Sequence, residues 1–143
     1  MELVNEGFLR VIKRIILHCS DSPHFSKEGR MLDVEDVRSW HKAKGWKDVG
    51  YHFVIPFSGE IQTGRPLGIE GAHAKGNNKD TIGICAMGKN TFTVSQIVSL
   101  KGLLQMLMTT YSLRLKDIYG HYQVDHHGKT CPNYLIEKFR ELM

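Results

Sequence analysis

From Val11 to His18 the chain is rich in Ile, Val and Leu, with Lys13 and Arg14 interrupting, and it then enters the cluster Ser20-Asp21-Ser22-Pro23. A short apolar run closed by turn-forming residues predicts a buried β-strand that ends at His18. Asp33 is placed to cap a helix whose Val34, Val37, Trp40 and Ala43 share one face, with Glu35 and Asp36 favourable to its dipole and Gly45 as its stop. Tyr51 to Ile55 reads as a second strand that turns through Phe57-Ser58-Gly59-Glu60 into a short partner at Ile61 to Thr63. A loop dense in Gly and Asn, Gly64 to Asp80, precedes a strand at Thr81 to Met87. Thr93 and Gln96 have the spacing of a capping box. The helix they open runs to about Ser112 and carries Ile97, Leu100, Leu103, Leu104, Leu107 and Met108 on its inward face. A short strand around Ile118-Tyr119 leads to His121, and a last helix follows Pro132-Asn133 with Leu135, Phe139 and Leu142 inward.

This order mixes hairpin and crossover connections, which predicts an α/β fold with a central mixed β-sheet and helices packed on its faces. At 143 residues and 41% hydrophobic content the chain holds one core, so residues 1–143 are expected to form a single domain. No repeat, low-complexity tract or long linker divides it.

Charge narrows the partners only slightly. Nineteen Lys and Arg against fifteen Asp and Glu give a formal net charge of +4 and a pI near 9.0. That suits an anionic partner, yet no run of like charges and no aromatic-interleaved basic stretch supports nucleic-acid binding. No apolar run approaches the length of a membrane span, so membrane insertion is not expected. The segment before His18 lacks a small-residue cleavage site, so no signal peptide is expected and the protein should be cytoplasmic at synthesis. Three cysteines, Cys19, Cys85 and Cys131, fit a reducing compartment.

The chemistry lies at the two ends of the sequence. His18 closes the first strand, where side chains reach the crevice that α/β sheets use for ligands, and alternation turns Cys19 to the other face. Near the other end, His121 and Cys131 bracket a turn-rich segment that can fold back on itself. His126 and His127 compete with His121 for a ligand role. Two imidazoles and one thiolate are one ligand short of a closed structural zinc site and leave a coordination position for water, so the expectation is one catalytic Zn2+ per chain.

Leu17-His18-Cys19-Ser20, Trp40-His41, Gly45-Trp46, Asp48-Val49-Gly50-Tyr51-His52-Phe53, Gly71-Ala72-His73-Ala74-Lys75-Gly76, Ile82-Gly83-Ile84 and Lys129-Thr130-Cys131-Pro132 stand in one order along nearly the whole chain. Together they resemble the N-acetylmuramoyl-L-alanine amidases of the phage-lysozyme type, a family similar to animal peptidoglycan recognition proteins. The resemblance implies zinc ligation by His18, His121 and Cys131. It implies catalytic roles for Tyr51, which can orient water or relay a proton, and Lys129, which can stabilise an oxyanion. It places His73 and Asn78 beside the cleft as substrate contacts. Cys85, Trp40 and Trp46 read as packing residues.

The implied reaction is hydrolysis of the amide between N-acetylmuramic acid and L-alanine in peptidoglycan or muropeptides, with release to the cell wall as an endolysin one route to that substrate. The alternative is a non-catalytic peptidoglycan-binding module. A regulatory protein partner, known in the phage branch, has no interface legible in the sequence.

Overall fold

The computed structural model describes residues 10–125, 131–132, 139 and 143. Its sheet has five strands: β1 (Arg14–Cys19), β2 (Phe53–Ile55), β3 (Gln62–Thr63), β4 (Thr81–Ala86) and β5 (Ile118–Gly120), in the spatial order β3-β2-β4-β1-β5. β1, β2, β4 and β5 run parallel, and β3 pairs antiparallel with β2 through the hairpin at Ser58-Gly59, giving the mixed sheet that the order of elements predicts. The described helices are α1 (Val34–Ala43), α2 (Val94–Tyr111) and the single turn α3 (His121–Val124), with a 3-10 turn at Leu115–Asp117 before β5.

Alternation along the strands divides the core in two. Ile15 and Leu17 of β1, Ile82 and Ile84 of β4, Phe53 and Ile55 of β2 and Ile118 of β5 face α2 and bury its Leu100, Leu103, Leu104 and Leu107. The opposite face presents Val54 and Cys85, which pack with Met87 against Leu32, Val34, Val37 and Val49. α1 therefore covers only the β2 and β4 side of that face. His18, in register with Cys85, lies beyond the cover, and so the sheet is left open where the chemistry-bearing strand ends.

Both long helices start as their sequences foretell. The Asp33 carboxylate accepts from the Glu35 amide at 2.9 Å while Asp36 accepts from the Asp33 amide at 2.9 Å. Thr93 and Gln96 close the same reciprocal box. Gln96, fully buried, goes further: its Nε2 donates to the carbonyls of Ile55 at 3.0 Å and Met87 at 2.7 Å, locking α2 to the ends of two parallel strands. Gly45 at φ +92° follows α1, in keeping with its expected role as the stop.

Three expectations shift. β1 begins at Arg14, because the amides of Lys13 and Arg14 both turn to the carbonyl of Asp80 and Val11 lies exposed. On α1 it is His41 and not Trp40 that turns inward, Trp40 remaining 38% exposed. The segment after β5 opens with a helical turn and not a loop. Lys129, His126 and His127, with Asn133, Leu135 and Leu142 of the expected last helix, lie outside the described residues; Phe139 is buried in the α2-side core.

Candidate active site

The ends of β1 and β5 are neighbours, Leu17 pairing with Gly120, so the residues that follow, His18 and His121, meet with ring centroids 4.5 Å apart. Cys131 is brought in by backbone contacts. Its carbonyl accepts from the Tyr122 amide at 3.0 Å, and its Sγ accepts from the Cys19 amide at 2.9 Å. The ligand atoms of His18, His121 and Cys131 all lie within 4.8 Å of one another, with His18 buried and the other two partly so. Such a set of two imidazoles and a thiol could hold a metal ion, and its chemistry suits zinc, with a coordination position to spare. The hydrogen bond with the Cys19 thiol, followed by burial, raises the Cys131 pKa.

Each imidazole has a polar neighbour behind it. His18 Nε2 lies 2.8 Å from His73 Nδ1, and His73 Nε2 lies 3.2 Å from Thr81 Oγ1. His121 Nε2 lies 3.6 Å from the carboxylate of Asp125, four residues on. Burial depresses the His73 pKa to about 3, so this ring is neutral at physiological pH. Tyr51 stacks obliquely on His18 at 5.0 Å and on His41 at 5.4 Å. Burial, reinforced by the Cys85, Cys131 and Cys19 thiols, holds its phenol protonated well above the ordinary range.

His41, Tyr51, His73, His121 and Asp125 line a cleft of about 620 Å³. Its walls include Lys44, Trp46, Lys75 and Asn78. Trp46, 37% exposed, packs on His41 at 4.5 Å and lies 5.4 Å from the Lys44 ammonium, so it is both a packing residue and a cleft wall. Asn78 Oδ1 accepts from the amides of His73 and Ala74, each at 2.9 Å, and thereby shapes the loop that delivers His73.

His73 reaches its place because β4 has no side chain beneath it. A Cβ on Gly83 would lie 2.5 Å from His73 Cγ. Gly83→Ala is expected to cost about 1–3 kcal/mol in urea unfolding, as overpacked sites do. Gly102→Ala, within α2 and with open space around it, should instead add about 0.5–1 kcal/mol. Equal effects of the two substitutions would contradict the packing described.

Sequence reasoning did not find Asp125 or the coupling of His73 to His18. The signal for the second was present, since an isolated Gly inside a strand marks the close approach of another group.

The sequence profile of the family described as N-acetylmuramoyl-L-alanine amidase matches residues 8–134. The chain is 35% identical over 135 residues to the endolysin of Escherichia phage T7, covering 89% of this chain and 84% of that protein. It is 33% identical over 129 residues to peptidoglycan-recognition protein SC2 of Drosophila melanogaster, covering 82% and 66% respectively. Among solved structures it superposes on the N-acetylmuramoyl-L-alanine amidase LysC from Clostridium intestinale URNW with a TM-score of 0.79, at 28% identity over 94% of this chain and 87% of the other. The chain belongs to the N-acetylmuramoyl-L-alanine amidase family. It is a hydrolase of peptidoglycan amide bonds.

Proposed function

We propose that this amidase is zinc-dependent, with one Zn2+ per chain held by His18, His121 and Cys131, and that it cuts the bond between the lactyl group of N-acetylmuramic acid and L-alanine of the peptide stem. The observation that carries this reading is the convergence of the three ligand atoms within 4.8 Å at the open end of the sheet, beside a cleft that His121 lines. Held there, zinc would supply a net charge of about +1 that polarises a carbonyl and acidifies a water molecule.

The remaining roles belong to side chains. Tyr51, kept protonated, donates a hydrogen bond that orients water against the amide or passes a proton toward the departing amine. Lys129, two residues before a ligand in sequence, stabilises the oxyanion. His73 and Asn78 shape the wall against which the substrate lies. Lys44 and Lys75 add positive charge to the rim, which suits the carboxylates of a peptide stem. Peptidoglycan or its soluble muropeptides are thus the partners, and arrival at the wall from the cytoplasm as an endolysin is the route we favour. No helix among the described residues is long and apolar enough to cross a membrane.

Digestion of purified peptidoglycan tests the bond. New free L-alanine amino termini should appear without new sugar reducing ends. A chelator should silence the reaction and zinc should restore it. Reducing ends without alanine termini would overturn the reading in favour of a glycosidase, which needs a pair of carboxylates about the scissile linkage. Saturable wall binding with neither product would point to a recognition module.

A further inference from the structure

For a buried and therefore uncharged His73 ring, the hydrogen bonds behind His18 have one consistent assignment of protons. Thr81 Oγ1 carries a single hydrogen, and its 2.6 Å contact with the Asn77 carbonyl, a group that can only accept, requires that hydrogen. Toward His73 Nε2, at 3.2 Å, the hydroxyl must therefore accept, which places the His73 proton on Nε2. In a neutral imidazole the other nitrogen then carries the lone pair. His73 Nδ1, 2.8 Å from His18 Nε2, consequently accepts, and His18 carries its own proton on Nε2.

We infer that Thr81 and His73 are positioning residues that fix the tautomer of His18, tying down its Nε2–H and leaving Nδ1 as the nitrogen that meets the metal. The inference rests on the zinc reading above for its metal half, while the proton assignment stands on the hydrogen bonds and the burial of the His73 ring. All three members are buried, and Gly83 supplies the gap that lets the His73 ring sit between the other two. A ring held in one tautomer and one orientation does not have to rearrange when a cation arrives, and partners of this kind are worth about 10–100-fold in metal affinity.

The test uses the whole protein in two arms. Long-range 1H–15N spectra of the zinc-free protein should show His18 and His73 each carrying the proton at Nε2. In Thr81→Val, of similar shape but lacking the hydroxyl, the His73 signal should shift toward mixed tautomers, and zinc affinity measured by competition with a chelator should fall about 10–100-fold. Thr81→Ser should restore both. His18 protonated at Nδ1 in the zinc-free wild type would overturn the inference, even if zinc binds normally. So would a folded Thr81→Val protein with wild-type spectra and wild-type zinc affinity. If the wild type binds no zinc while His18 is protonated at Nε2, the proton assignment stands and the metal half, with the zinc reading, is overturned.

Discussion

His18→Ala, His121→Ala and Cys131→Ala should each leave the folded protein without retained zinc and without measurable amide hydrolysis. The three differ in place and burial but share one cluster, and among the described residues no fourth ligand stands in reserve. Tyr51→Phe and Lys129→Ala should behave differently. Both should retain about one zinc per chain while the rate falls, about 10²-fold or more for loss of a positioned proton donor and about 10²–10³-fold for loss of an oxyanion partner. Elemental analysis beside a muropeptide hydrolysis assay separates the two groups. The ligand assignment would be wrong if His121→Ala kept full zinc and rate while His126→Ala or His127→Ala lost them. It would also be wrong if Cys131→Ala held zinc as tightly as wild type.

How much of this centre the sequence disclosed follows from how local each signal is. β1 ends where an apolar run meets turn residues, so His18 was placed by the strand that carries it. The two capping boxes are three-residue patterns, and both helices begin where those patterns stand. Long-range choices were not legible. After Val37 either Trp40 or His41 could continue the inward face of α1, and hydrophobicity favours Trp. The structure chooses His41, because its Nδ1 accepts the Gly50 amide at 2.8 Å and its ring lies against Trp46, contacts that depend on where the following loop returns. The same holds for His73. A glycine-rich loop gives no hint of which side chain turns inward until Gly83 is recognised as the gap that receives it. Asp125 could be paired with His121 only once the segment after β5 was known to be helical, since four residues span one turn of helix and not an extended loop.

Acid should destabilise the protein well above the carboxylate range. Burial holds His41 and His52 neutral, and their pKa values fall from 6.5 to about 4. Each is pinned as an acceptor: His41 Nδ1 takes the Gly50 amide, and His52 Nδ1 takes the Gly83 amide at 3.1 Å while its Nε2 donates to the Ile69 carbonyl at 2.8 Å. Protonation would set a second N–H against an amide donor at a buried position. Because both pKa values are lowered on folding, the unfolded chain binds more protons between pH 6.5 and about 4. The stability these rings contribute is complete above pH 6.5 and is lost as the pH falls through that window. The slope approaches about 1.4 kcal/mol per pH unit for each ring. Urea unfolding at pH 7.5, 6 and 5, with chelator present so that metal release does not contribute, measures it. His52→Gln should start less stable at pH 7.5, with its hydrogen bonds imperfectly replaced, and should show a visibly shallower decline toward pH 5. A decline in His52→Gln as steep as in wild type would show that this ring titrates alike in the folded and unfolded chain, contrary to its burial.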